Sequence, residues 1–191
     1  TINTLSRKFK YPQVFRANLG YEQDFGYGWK LTVDALYSKT LNNVFFKNLA
    51  LTPSASVYAV NASVAASNPN SVAPYYTLDS SYDAVIALDN TNKGYTYSLS
   101  AMLEKKFDFG LNLMASYTFG HSYSVNDGTS SVANSNWKYN YAVDTNKPEL
   151  GFSIFDRPHK VMATVSYSTP LFARGLQTTV ALSYTGQSGQ R

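Results

Sequence analysis

Alternation of apolar and polar residues over segments of about ten residues is the feature that most constrains the fold of this chain. Between residues 109 and 120 the odd positions carry Phe, Leu, Leu, Ala, Tyr and Phe, whereas the even positions carry Gly, Asn, Met, Ser, Thr and Gly. Successive side chains of a β-strand point to opposite faces, so such a segment has one apolar and one polar face. The pattern recurs in six segments, at about residues 13–25, 29–42, 94–107, 109–121, 159–169 and 175–186. The sequence therefore predicts an all-β fold of six antiparallel strands.

The connections between these six segments alternate between short and long. The short ones contain Tyr27, Asp108 and Ala173, whereas the long ones cover about residues 43–93 and 122–157, with Ser67 and Ser131 near their middles. Outer-membrane β-barrels have short periplasmic turns and longer extracellular loops. We therefore predict that the three turns face the periplasm and that the two long links are extracellular.

Strand length and aromatic positions also fit a bilayer. The apolar face between Phe15 and Phe25 spans about 33 Å, and a tilt of about 40° leaves a height of about 25 Å, which is that of the apolar band of such barrels. Lys105 interrupts an apolar face near a turn, where its ammonium group can reach the headgroups. Aromatic residues suit this interfacial region. They recur on the turn side as Phe25, Trp29, Phe107, Phe109 and Tyr167, and on the loop side as Tyr37, Tyr95, Tyr117 and Tyr184. We expect the apolar faces to contact outer-membrane lipid.

The opposite faces carry charges of both signs near the short turns. Charges that face hydrocarbon without a partner are costly, so these side chains are expected to face the barrel interior and one another. The residues are Arg16, Glu22, Asp24, Lys30, Asp34, Glu104 and Lys106. They would form an ion-paired lumen wall, which is also compatible with docking of a plug domain.

The composition argues against several other functional classes. The chain has no cysteine, and therefore neither a disulfide framework nor a thiolate metal site. Its net charge is only +4 and its Lys and Arg residues are scattered, so nothing supports nucleic-acid binding. The two histidines, His121 and His159, lie near strand ends without an acidic residue at metal-ligand spacing, and no nucleophile–base pair or Gly-rich phosphate loop is recognisable. We therefore expect no enzyme activity, no cofactor and no metal site.

Six strands are too few to close a bacterial barrel, which has at least eight, and open strand edges in lipid would leave backbone groups unsatisfied. The chain also begins and ends in loop-like sequence, so we interpret residues 1–191 as an internal segment of a larger barrel. Two alternatives remain open. One is a complete eight-stranded outer-membrane barrel with a structural role, whose extra strands would lie around residues 44–51 and 82–88; the other is a secreted soluble β-type binding module.

The link at residues 126–149 contains our candidates for an external ligand-binding surface, namely Trp137, Tyr139, Tyr141 and Asp144. Aromatic and polar residues alternate over residues 137–141, which suggests a short strand with three rings on one side. Packing of these rings within the loop is the alternative interpretation. Residues 89–92 and 126–128 have the composition of turns.

Several segments resemble a known family. Residues 11–20 (YPQVFRANLG), 28–31 (GWKL) and 37–44 (YSKTLNNV) resemble the late barrel region of TonB-dependent outer-membrane receptors, in particular the Oar-like type with a carboxypeptidase-regulatory-like N-terminal domain. Residues 155–161 (FDRPHKV) are similar to a strand-entry segment of the same group. The resemblance implies a bacterial outer-membrane barrel of 22 strands that is filled by a plug domain and imports an unknown ligand with energy delivered by TonB. Neither the plug nor a TonB box is recognisable in this chain, so both partners are implied by the resemblance alone.

Overall fold

The computed structural model describes residues 1–59, 72–170 and 177–190. The predicted turn at Ala173 and the predicted loop position Ser67 lie outside these ranges. In chain order the elements are β1 (Ile2–Leu5), β2 (Gln13–Gly26), β3 (Trp29–Asn48), β4 (Leu51–Ala59), β5 (Val72–Leu78), β6 (Val85–Thr91), β7 (Tyr95–Lys106), β8 (Leu111–Ser124), helix α1 (Ala133–Lys138), β9 (Gly151–Phe152), β10 (His159–Pro170) and β11 (Gln177–Gln187). The all-β prediction is confirmed. Among the described residues, no helix has the length and apolar character needed to cross a membrane.

Residues 16–39, 95–122 and 154–191, as far as they are described, form one compact unit, which we call the strand unit. Its strand order is β2-β3-β7-β8-β10-β11. Strand β3 pairs antiparallel with β7, β8 pairs antiparallel with β10, and β10 pairs antiparallel with β11. These six strands occupy the alternating segments of the sequence, although β3 continues to Asn48 and β8 to Ser124, beyond the ends expected from the alternation.

The alternation of the sequence becomes an alternation of faces in this sheet. Apolar residues stand opposite one another across neighbouring strands, as Leu31 does with Leu103 and Val165 with Leu113. This face is open rather than covered by a protein core, since Leu182 is 75% exposed. Contiguous apolar surface of this extent is unusual on a soluble monomer and marks contact with another apolar phase or partner.

The turn between β2 and β3 depends on glycine. Gly26, Tyr27 and Gly28 have φ angles of 77°, 52° and 78°, and two glycines avoid most of the steric cost of this left-handed conformation. A Cβ atom on Gly28 would also clash with the carbonyl oxygen of Lys106. Beside this turn, the ammonium group of Lys105 donates to the carbonyl oxygen of Tyr27 and lies 5.1 Å from the ring centre of Trp29. Lys105 is therefore held at the turn end of the apolar face by polar and cation–π contacts.

Residues 1–15, 40–94 and 123–153, as far as they are described, form a second compact unit, which we call the loop unit. Strand β6 pairs parallel with β1 and antiparallel with residues 43–48 of β3, whereas β4 and β5 form a separate two-stranded sheet. Its small core contains Phe46, Ala84 and the fully buried Ile86 (0% exposed), with Trp137 packed against it. As far as they are described, the two long links are therefore folded and have strands of their own.

The extra strands of the eight-stranded alternative differ from expectation. Residues 44–48 continue β3 rather than begin a new strand, and β6 runs over Val85–Thr91. Strand β6 pairs antiparallel with β3 but parallel with β1, whereas all neighbouring strands of an outer-membrane barrel pair antiparallel.

Three asparagine side chains take the place of a strand partner in the loop unit. The carboxamide of Asn146 bonds both the main-chain N–H and the C=O of Asn48, at 2.8 and 2.9 Å. Asn90 does the same with Lys10, at 2.6 and 2.8 Å. Asn136 does so with Ser130, at 3.0 and 2.6 Å. A carboxamide carries the same donor and acceptor pair as a peptide group, so these asparagine clamps extend backbone pairing through side chains.

Two local predictions are wrong. Residues 137–141 do not form a strand, because Ala133–Lys138 is helix α1 and the N–H of Tyr139 donates to Ser135 at 2.9 Å. Five alternating residues specify a strand only weakly, and packing of Trp137 on the core favours the helix instead. Residues 89–91 belong to β6, where pairing with β3 overrides their turn composition. The turn at 126–128 is confirmed, since the N–H of Gly128 donates to the side chain of Asn126 at 2.8 Å.

Candidate ligand-binding site

A cavity of about 530 Å³ lies in the loop unit between the β4–β5 hairpin and residues 141–151. The hairpin wall is formed by Pro53, Val72, Pro74 and Tyr76, and the opposite wall includes Tyr141, Val143, Asp144, Lys147, Glu149 and Leu150. The volume is within the range of small-ligand sites, about 300–1,000 Å³. Apolar walls with a few charged groups are the usual composition of such sites.

The two walls are joined by a hydrogen bond between Tyr76 and Asp144. The hydroxyl of Tyr76 donates to the carboxylate, at 2.9 and 3.0 Å from its two oxygens. The main-chain N–H groups of Asn146 and Lys147 also donate to Asp144, at 2.8 and 3.2 Å. Burial, and then the hydrogen bond to Asp144, raises the pKa of Tyr76 to about 12. Tyr76 therefore remains a protonated donor throughout the physiological pH range.

Trp137 attaches the segment that contains Asp144 to the core of the loop unit. Its indole Nε1 donates to Asn146 Oδ1 at 2.8 Å, and its ring packs against the core that contains Phe46 and Ile86. Asn146 in turn clamps Asn48, which is 3% exposed. Trp137 and Asn146 thus attach residues 137–146 to the core and hold this wall of the cavity in place.

The structure brings two of the four predicted ligand-binding residues to the cavity. Tyr141 and Asp144 line it, and Tyr141 is 95% exposed. Tyr139 does not line it and is 69% exposed, with the ammonium group of Lys138 located 5.5 Å from its ring centre. Trp137 also lies outside the lining. A ligand role for the four residues stays a prediction.

Sequence reasoning identified neither the wall formed by β4 and β5 nor the two oppositely charged lining residues, Lys147 and Glu149. Tyr76 lies 68 residues before Asp144, so only the tertiary fold brings the two side chains together. Lys147 follows a turn in which its N–H donates to the carbonyl oxygen of Asp144, so no local pattern in the sequence indicates that Lys147 and Glu149 line one cavity.

A second cavity of about 330 Å³ in the loop unit is lined by Asn43, Phe46, Leu88 and residues near α1. Its polar wall is largely occupied by internal bonds, because Asn136 clamps Ser130 and the amide of Asn126 donates to the carbonyl oxygen of Asn136 at 2.9 Å. The larger cavity is therefore the better candidate for a ligand.

Three of the predicted lumen-facing charges come together in the strand unit. Lys30 and Glu22 form an ion pair at 2.8 Å, and Glu104 is the register partner of Lys30 across β3 and β7. Asp34 stands opposite Ser100, whereas Asp24 accepts a hydrogen bond from the N–H of Gly26 at 2.7 Å. Arg16 and Lys106 have no ion-pair partner among the described residues. The assignment of these seven side chains to the lumen stays a prediction.

Hydroxyl pairs continue the polar face on the other strands. Thr96 bonds Ser122 at 3.1 Å and Ser100 bonds Thr118 at 2.9 Å between β7 and β8. Two further pairs join β10 and β11, Thr164 with Ser183 at 3.1 Å and Ser168 with Thr179 at 2.9 Å. Cross-strand hydroxyl pairs of this kind add to sheet stability. The polar face is thus charged along β2, β3 and the turn end of β7, and rich in hydroxyl groups elsewhere.

His121 has an acidic partner that its local sequence does not reveal. Its Nδ1 lies 3.1 Å from Asp156 Oδ2, and Asp156 is 1% exposed. The same carboxylate accepts the N–H of Ser122 at 2.7 Å. This pair anchors the segment before β10 to the end of β8. In the described part of the chain, no group of three or more metal-ligating side chains is arranged to hold a metal ion.

Comparison with known proteins gives one match. The family described as "Outer membrane beta barrel domain" has a sequence model that matches residues 1–186. No curated protein and no solved structure matches the chain. The match includes all six strands of the strand unit, whose open apolar face requires an apolar environment. The chain therefore belongs to the family of outer-membrane β-barrel domains and is located in the bacterial outer membrane.

Proposed function

We propose that this chain supplies part of the barrel wall and the extracellular ligand-binding surface of a TonB-dependent receptor. The observation that carries the proposal is the combination of lipid-type strands with a folded loop unit that encloses a cavity of about 530 Å³. A barrel with a purely structural role does not require long extracellular segments with such a cavity. The resemblance of residues 11–20, 28–31, 37–44 and 155–161 to TonB-dependent receptors supports the same function.

The barrel of this receptor is larger than the six-stranded sheet. Strands β2 and β11 each pair with only one other strand among the described residues. An unpaired strand edge in lipid leaves main-chain groups without hydrogen bonds, so further strands complete the barrel. The resemblance supports a total of 22 strands.

In this proposal the polar face of the strand unit lines the lumen and contacts a plug domain. The Glu22–Lys30 ion pair, with Glu104 opposite, offers charges of both signs to such a plug. The function is transport rather than catalysis, without a cofactor, and its partners are outer-membrane lipid, the plug, TonB and an imported ligand. Nucleic acid is not a partner.

Depletion of compounds from the growth medium tests this function for a ligand of any chemical class. Three strains are compared by mass spectrometry of the medium: the wild type, a strain without this protein and a strain without TonB. We expect at least one compound to be depleted by the wild type alone. A set of compounds that all three strains deplete equally would contradict the proposal.

The eight-stranded barrel is the second candidate, since the outer-membrane β-barrel family model matches residues 1–186. The parallel pairing of β1 with β6 argues against it, because barrel strands of this class pair antiparallel. If the 191-residue chain alone folds in detergent into a barrel with heat-modifiable gel mobility, this candidate replaces the receptor. The secreted soluble module is inconsistent with the outer-membrane location.

A further inference from the structure

We propose that the cavity between the β4–β5 hairpin and residues 141–151 binds a short peptide that carries both a positive and a negative charge. This inference rests on the proposed function and deepens it, because it names the ligand class of the same extracellular site. It follows from the ring-bearing walls of the cavity and from the hydrogen bonds that already satisfy Asp144. It also follows from two charged side chains of the lining that have no bonding partner among the described residues.

The walls suit an extended peptide. Pro53, Pro74, Tyr76 and Tyr141 contribute rings to the lining. Such side chains offer a large contact area and lose little conformational entropy on binding. Aromatic-lined grooves are a recurrent means of recognising extended peptides.

The Tyr76–Asp144 pair shapes the cavity but does not leave a free charge for the ligand. Asp144 accepts bonds from the Tyr76 hydroxyl and from two main-chain N–H groups. A carboxylate with these donors is largely satisfied within the protein. The two walls are therefore fixed before a ligand binds, which reduces the entropy cost of binding.

Lys147 and Glu149 supply the charges that a ligand can pair. Both side chains line the cavity, and neither forms a hydrogen bond or an ion pair with any residue in the described ranges. They flank Pro148, and both residues contribute to the same wall of the cavity. Both residues are exposed, so a ligand with a single charge would pair with only one of them. A peptide with an ammonium group for Glu149 and a carboxylate for Lys147 satisfies both.

Calorimetry with a defined probe tests the inference. The probe is the tetrapeptide Ala-Pro-Tyr-Ala with free termini, and the comparison ligand is the same peptide acetylated and amidated. With the purified full-length protein in detergent, we expect the free peptide to bind and the blocked peptide to bind at least about tenfold more weakly, because two ion pairs are lost. Lys147→Met and Glu149→Gln should each weaken binding by about threefold to fivefold.

The matched control is Lys8→Met, which removes an exposed lysine that does not line the cavity and should bind the free peptide like the wild type. Equal affinity for the free and blocked peptides, unchanged binding by both cavity variants, or no binding up to about 1 mM overturns the inference. Failure of the proposed function is a separate result. Peptide binding without TonB-dependent depletion of any compound would contradict the import function but support the peptide site. Depletion without peptide binding would support the import function but contradict the peptide site.

Discussion

The asparagine clamp at Asn146 is the contact whose removal should most clearly release residues 125–150 of the loop unit. The Asn146 side chain accepts bonds from Asn48 N and Trp137 Nε1, both at 2.8 Å, and donates to Asn48 O at 2.9 Å. A typical hydrogen bond contributes about 1 kcal/mol net, and a buried partner left unsatisfied costs about 1–3 kcal/mol. Asn146→Leu keeps the approximate shape and removes all three bonds. We expect it to lower the free energy of local opening by about 3 kcal/mol.

Hydrogen exchange of residues 125–150 measures this effect, because the strands of a barrel dominate global unfolding. A loss of about 3 kcal/mol corresponds to an increase in exchange rate of about a hundredfold or more. The control is Asn134→Leu, since Asn134 lies in the same segment and its side chain bonds no described residue. Exchange in Asn146→Leu within about threefold of the control would refute the reasoning, because the three bonds would then add little.

Three further predictions follow from the strand and loop units. Leu113→Arg should destabilise the protein by about 2–4 kcal/mol in lipid and Ser116→Arg by much less, because only Leu113 faces hydrocarbon; equal shifts in denaturant unfolding would contradict the assignment of faces. A cysteine at Ser131 should react with an impermeant thiol reagent on whole cells and one at Tyr27 should not, and the opposite labelling would reverse the orientation. The pKa of Tyr76 is raised to about 12, so its contribution to the attachment of the hairpin is complete below about pH 10 and is lost as the pH rises towards 12. Tyr76→Phe should remove this alkaline step from hydrogen exchange of β5.

The positions of the strands in the strand unit can be predicted closely from the sequence, because a single physical requirement governs each strand. A strand between lipid and a polar interior needs an apolar residue at every second position, and this pattern is visible in one segment at a time. The register of Leu31 with Leu103 and of Val165 with Leu113 keeps those apolar residues on a common face. The extension of β3 to Asn48 is not visible in the pattern, because these residues belong to the loop unit, where strict alternation is not required.

The loop unit is harder to predict because its contacts are made by side chains over long distances in the sequence. Asn146 bonds a residue 98 positions away, and Asn90 bonds Lys10 over 80 positions. Asparagine-rich composition suggests exposed loops, whereas in this unit asparagine side chains act as backbone partners. The helix at Trp137 is a further case, since the core that it packs against comes from β3 and β6.

The loop unit is assembled from three separate chain segments, and this affects the order in which the protein folds. Its residues come from positions 1–15, 40–94 and 123–153, and the intervening residues belong to strands of the other unit. Contacts between distant segments form only after the entropy cost of closing the intervening chain has been met, so they form late. The two walls of the cavity lie on the second and third of these segments, so its completion requires closure of the chain that contains β7 and β8. Formation of the cavity is therefore expected to be among the late steps of folding.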